Sequence, residues 1–125
     1  MQNLIAIGLG GAMGALLRYG IAAGTALFIP LENGFPLGTF LANMLGTFAM
    51  GFLYQTFLQT NMQNDVIRLF ITTGLLGALT TFSTFALEGV TLFRAGQSSM
   101  AIFYILLSNV CGLLVLLGGI VLAQR

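Results

Sequence analysis

The sequence predicts an all-α membrane protein, a single domain over residues 1–125 with four transmembrane helices, the third of them broken. Three observations carry this. First, 58% of the 125 residues are hydrophobic and 6% are charged, with a mean hydropathy of +1.00. A soluble domain carries about a quarter charged residues. Arg18, Arg68, Arg94 and Arg125 against Glu32, Asp65 and Glu88 cannot coat a soluble surface, so the solvent for most of this chain is lipid. Second, the apolar runs have spanning length. A helix rising ~1.5 Å per residue needs about 20 apolar residues to cross a hydrocarbon core ~30 Å thick, and four such runs follow one another with short connectors. Third, a block rich in glycine and hydroxyl residues interrupts the third run.

The first helix is expected over residues 4–28, whose one charge is Arg18. Met1-Gln2-Asn3 has no basic residue, unlike the head of a signal peptide, so this span is expected to be retained. Pro30 and the turn residues Glu32-Asn33-Gly34-Phe35-Pro36 close it. The second helix is expected over residues 37–58, and the polar run Gln59-Thr60-Asn61-Met62-Gln63-Asn64-Asp65 follows it. The third segment covers residues 66–93 and ends at Arg94-Ala95-Gly96-Gln97. The fourth covers residues 98–123 and holds the lone Cys111, which has no partner for a disulfide or metal cluster and reads as a small apolar filler.

Small residues four apart occur at Gly10–Gly14, Gly11–Ala15, Ala42–Gly46 and Thr47–Gly51. Such pairs let helix backbones approach closely in lipid. They serve either packing within one chain or contact between two. The topology signal is almost balanced. Basic residues mark the cytoplasmic side, and four spans put Arg68 and Arg125 on one side and Arg94 on the other. The chain is therefore expected to insert in both orientations, with two copies pairing antiparallel.

Polar groups at membrane depth are costly and are either paired or functional. Asn43, midway along the second span, is open to two roles: bridging helices, or donating to an anion in a wet path. The third span reads Thr72-Thr73-Gly74-Leu75-Leu76-Gly77-Ala78-Leu79-Thr80-Thr81-Phe82-Ser83-Thr84-Phe85. Its glycines and hydroxyls make a poor continuous helix, which is either broken there or kinked, with Ser and Thr bonding back to their own turn. Freed backbone at that depth must be satisfied by protein, ion or cavity water. Unwound carbonyls are cation ligands, and half-helix N-termini attract anions. Phe82 and Phe85 share one helix face; they serve either as lipid-facing or core rings or, beside polar neighbours, as ring edges whose positive rim solvates an anion weakly. Arg18 lies near the middle of the first span. Glu88 lies in the third, and its partner is left open by the sequence. Tyr104 and Ser108, four apart, put two hydroxyls on one face of the fourth helix. There is no histidine and no nucleophile with a base, so an enzyme is not expected. The arginines are too few and scattered for nucleic acid.

These residues resemble the Fluc family of fluoride channels, also called CrcB proteins, over nearly the whole chain. The resemblance is carried by Gly11-Ala12-Met13-Gly14-Ala15 with Arg18-Tyr19, by Gly38-Thr39 with Asn43 and Gly46, and most specifically by Thr72-Thr73-Gly74 through Thr80-Thr81-Phe82-Ser83-Thr84-Phe85. It implies a passive fluoride-selective channel in a microbial plasma (inner) membrane that lets toxic fluoride leave the cell. It implies an antiparallel homodimer with two pores, each lined by both chains. A structural sodium ion, not transported, would be held by the backbone carbonyls of Gly77 and Thr80 from each copy. Phe82, Phe85 and Asn43 match the family's pore residues. Ser83, Thr84, Tyr104 and Ser108 match a polar track along the pore, and Arg18 matches the basic residue near its entrance. Two departures stand out: Ala78 where the family often has a second glycine, and Gly112 where a further hydroxyl is common.

Two rival readings are weighed against this. A small multidrug-type transporter has four spans and dual topology, but needs an acid inside the first span, where this chain has Arg18. An assembly subunit without transport of its own has no need of the broken-helix block.

Overall fold

The computed structural model describes residues 1–29, 31, 34–60 and 64–125. The expected breaker Pro30, Glu32 and Asn33 of the first turn, and Asn61, Met62 and Gln63 of the second connector, lie outside the described residues. Among the described residues there are helices and turns and no strands.

Helix α1 (Gln2–Phe28) is the first span and α2 (Leu37–Gln59) the second. The third span, Asp65–Arg94, is not one helix. It consists of a short α3 (Asp65–Leu69), a wide π-helical stretch over Phe70–Leu76, one turn α4 (Gly77–Leu79), an extended break at Thr80 and Thr81, and α5 (Phe82–Arg94). Helix α6 (Ser98–Ala123) is the fourth span. All four spans are long and apolar enough to cross a bilayer. The outward faces carry large apolar side chains such as Leu16, Leu113 and Leu117, the surface that lipid rather than water covers.

Local chemistry sets the ends. Asn64 caps α3, its side-chain oxygen accepting from the Ile67 N–H at 3.1 Å. Arg68 and Asp65 make an exposed ion pair there at 2.9 Å, which contributes about 0–1 kcal/mol. Helix α5 ends in a Schellman arrangement: Gly96 adopts φ +76, its N–H donates to the Phe93 carbonyl at 3.1 Å, and the Gln97 N–H donates to Leu92 at 3.0 Å.

The buried core is small and splits in two. Ala42, Leu76 and Leu79 pack where α2 meets the third span. Leu92, Ala101 and Tyr104 pack between α5 and α6, with Phe35, Phe40 and Phe85 against them. The glycines explain how the helices come close enough. A Cβ at Gly10 would fall 2.9 Å from the Leu75 nitrogen and 3.1 Å from Gly74 Cα, and one at Gly14 would land on the Leu75 carbonyl and 3.0 Å from the Leu79 nitrogen. A Cβ at Gly74 would in turn meet the Ile7 carbonyl at 2.8 Å. So α1 lies backbone to backbone on the π-helical stretch. A Cβ at Gly51 would strike the Leu116 carbonyl, and one at Gly119 would fall 2.8 Å from the Phe52 nitrogen, so α2 and α6 cross in the same manner. Of the small pairs in the sequence, Gly10–Gly14 therefore packs within the chain, as does Gly51. Gly46 does so too, against Thr80 and Leu79. Gly11 faces open space.

Candidate functional site

The break in the third span is held open by diverted hydrogen bonds. Thr80 (φ −79, ψ 153) and Thr81 (φ −150, ψ 120) are extended. In a continuous helix the Thr81 N–H would donate to the carbonyl four residues back, that of Gly77. Here it donates to Asn43 Oδ1 at 2.7 Å. Asn43 Nδ2 in turn donates to the Thr81 carbonyl at 3.2 Å, so one carboxamide clamps both polar groups of one peptide residue. In the same way the Thr84 N–H would donate to the Thr80 carbonyl, but it donates to Thr81 Oγ1 at 3.2 Å. Thr81 is the N-cap of α5. The carbonyls of Gly77 and Thr80 thus lose the donors that a continuous helix would give them. No group of three or more His, Cys, Asp or Glu capable of holding a metal occurs among the described residues. Backbone oxygens of this kind suit a hard cation.

Beside the break lies a cavity of about 260 Å³ between α2, the break and α6. Asn43, Thr80, Phe82, Phe85 and Ser108 line it, as do Met44, Thr47, Asn109 and Gly112. None of its lining residues is charged. Among the described residues Ser108 Oγ is buried with no hydrogen-bond partner, an arrangement that costs about 1–3 kcal/mol unless a ligand accepts from it or donates to it. The Asn43 carboxamide uses one of its two N–H groups on Thr81 and keeps one. Phe82 is 79% exposed, and its ring lies 5.8 Å from that of Phe85. The site therefore offers uncharged donors and ring rims in an apolar surround, which suits a small anion that must be held without being trapped.

The remaining residues singled out in the sequence fall elsewhere. Thr84 and Arg18 line a second cavity of about 220 Å³ with Thr39. Ser83 is exposed, 3.3 Å from Thr81 Oγ1. Gly77 is exposed on the single chain. Tyr104 is fully buried. It does not line the cavity: its ring packs behind Phe85, the centroids 5.3 Å apart, and its hydroxyl donates to Glu88 Oε2 at 2.8 Å.

Sequence reasoning left Glu88 without a partner. Its other oxygen, Oε1, accepts from Thr39 Oγ1 at 2.7 Å, so among the described residues two hydroxyls and no arginine answer this carboxylate. Thr39, Thr47 and Asn109 also escaped notice as lining residues. Helical spacing could have found two of them: Thr39 and Thr47 lie four residues either side of Asn43 and share its face.

Comparison with known proteins gives one consistent result. The family described as "CrcB-like protein, Camphor Resistance (CrcB)" matches residues 5–120. A protein of Desulfotalea psychrophila named "Fluoride-specific ion channel FluC" is 39% identical over 125 residues, 100% of this chain and 94% of that protein. A "Fluoride-specific ion channel FluC 2" of Staphylococcus saprophyticus is 42% identical over 125 residues, covering 100% of this chain and 98% of its own length. A "Fluoride-specific ion channel FluC" of Ruminiclostridium cellulolyticum is 43% identical over 108 residues, 86% of this chain and 82% of that protein.

Proposed function

The chain belongs to the CrcB-like family, and on that premise we propose that it is a passive, fluoride-selective channel through which fluoride leaves the cell. It is a multi-pass membrane protein of a microbe, and its family is one of ion channels rather than enzymes. The observation that carries the reading is the cavity beside the break, whose lining brings together Ser108 with its buried, unpartnered hydroxyl, Asn43 with a spare N–H, and Phe82 and Phe85.

The physics of the ion explains that composition. Taking a carboxylate-sized ion from water into a low-dielectric medium costs on the order of 20 kcal/mol by Born estimates. Fluoride is smaller and costs more. A pore must replace its water shell with donors, and a fixed positive charge within it would slow release. Conduction needs sites that are favourable enough to enter and weak enough to leave. Neutral donors in series meet both demands. Asn43 and Ser108 stand in the cavity, with Phe82 and Phe85 at its rim. Thr84 and Arg18 line the second cavity, where the arginine draws anions toward the path. Ser83 and Tyr104 extend the set, Tyr104 by fixing the Phe85 ring and Glu88.

The working unit is an antiparallel homodimer with two pores. A ring as exposed as Phe82, set at the mouth of a polar cavity, supports a second copy covering that side. The near-balanced arginines support its inverted insertion. The carbonyls of Gly77 and Thr80 fit the structural sodium ion of the family, because Asn43 and Thr81 divert the donors that would otherwise occupy them. Two such carbonyls from each copy would hold it, and the ion would tie the copies together without crossing the membrane.

Purified protein in liposomes loaded with fluoride, read by a fluoride electrode, tests the reading. Rapid fluoride efflux is expected, with chloride retained under the same gradient. Vesicles that hold fluoride as tightly as protein-free ones would contradict it. A small multidrug-type transporter would instead move cationic substrate against a proton gradient and leave fluoride in place.

A further inference from the structure

Most threonine hydroxyls of this chain find a protein partner; among the described residues Thr73, which is exposed, and Thr47, which lies at the cavity, do not. In helices or at their ends the hydroxyls of Thr25, Thr56, Thr60, Thr72, Thr80 and Thr91 each donate to a carbonyl four residues back, at 2.8–3.0 Å. That is the ordinary way to satisfy a hydroxyl in an apolar surround. Thr39 is spent on Glu88, and Thr81 and Thr84 are spent on the cap of α5. Thr47 is half-buried in mid-α2 and lines the cavity. Its hydroxyl makes no hydrogen bond among the described residues, not even to the Asn43 carbonyl four residues earlier.

Its position gives that free hydroxyl a use. Thr47 lies four residues beyond Asn43, one turn or about 6 Å along the axis and on the same face. Helices α2 and α6 run in the same direction, since Met44 lies beside Gly112 and Phe48 beside Gly119. The turn of α6 beyond Ser108 therefore presents Gly112, which has no side chain to offer. At that level the polar group comes from the opposite wall.

We propose that Thr47 donates its hydroxyl to the permeating anion at a second station, one turn outside the station formed by Asn43 and Ser108. The inference rests on the reading of this cavity as the fluoride path. It adds a residue that sets the rate of passage. An anion stepping between stations about 6 Å apart meets a new donor before it has left the last, which keeps each step shallow.

The test compares fluoride efflux from liposomes for wild type and three variants. Thr47→Val keeps the shape and removes the hydroxyl. Its efflux is expected to fall about tenfold, the fold-change equivalent of one hydrogen bond to a charged group, while Thr47→Ser stays within about twofold of wild type. A Cβ at Gly112 would have only Met44 Cε near it, at 3.7 Å, so a serine fits there. The double variant Thr47→Val/Gly112→Ser returns a hydroxyl from the α6 wall and is expected to recover most of the lost flux. Elution of each variant at the wild-type position shows that assembly is intact. Undiminished flux in Thr47→Val overturns the proposal, as does equal loss in Thr47→Ser or failure of the double variant to recover. If wild type itself carries no fluoride, it is the channel reading that fails, which is a distinguishable result.

Discussion

Helix α1 meets the third span on one side, α2 and α6 meet it on the other, and the two contacts are built from opposite materials. Along α1, Gly10, Gly14 and Gly74 bring backbone onto backbone. Around the cavity, α2 and α6 bring Asn43, Thr47 and Ser108, with hydrogen-bonding capacity left over. The contrast teaches how a helix can be broken inside a membrane without loosening the bundle. The glycine seam fixes the half of the third span before the break, and the Asn43 clamp fixes the break itself. Among the described residues the one buried side-chain polar atom left without a partner, Ser108 Oγ, belongs to a residue that lines this cavity, where an ion can use it.

The sharpest way to break this comparison is to fill the seam. Gly14→Leu drives a side chain into the Leu75 carbonyl, and overpacking of this kind costs about 3 kcal/mol. It is expected to abolish well-folded protein in size-exclusion chromatography. Gly11→Leu, on a face with open space, is expected to elute as wild type does. Equal behaviour of the two would remove the seam as a rigid element.

Next in size is Asn43→Ala. Losing the clamp frees the Thr81 N–H to return to the Gly77 carbonyl. Fluoride efflux is expected to fall at least about tenfold, since a donor to a charged group is lost. If the proposed sodium is held by the carbonyls of Gly77 and Thr80, the rise in unfolding midpoint when sodium replaces a bulky organic cation is expected to be smaller in this variant than in wild type. A variant that lost flux and kept its sodium response in full would separate the clamp from the carbonyls.

Smaller again are Phe82→Ile and Phe85→Ile. Ring rims interact weakly, by about 0.5–1.5 kcal/mol, so each variant is expected to slow efflux by roughly tenfold or less while remaining assembled. Unchanged flux in both would take the rings out of the path.

Much of the fold was legible in the sequence, because lipid imposes length and polarity on whole segments. Four apolar runs could only be four spans, and the glycines and hydroxyls from Thr72 to Phe85 marked the interrupted one. The details of the interruption were not legible. Nothing local to Phe70–Leu76 announces a π-helical stretch, which lies where Gly74 packs against the backbone of α1. Asn43 was left between bridging and anion donation, and its carboxamide makes the bridge while holding one N–H in reserve. That depended on Thr81 being extended 38 residues away in sequence. Glu88 was equally opaque. Its partners Thr39 and Tyr104 come from two other helices, and only the packed bundle brings them together.

Ser108 offers the most direct measurement, because among the described residues its hydroxyl is buried and unpartnered and the residue lines the cavity. Fluoride efflux should be compared between wild type and Ser108→Ala in the same liposomes. If the cavity is the path, efflux falls about tenfold with assembly intact, as expected for one donor lost to a charged group. An alanine variant that passes fluoride at the wild-type rate would place the path elsewhere.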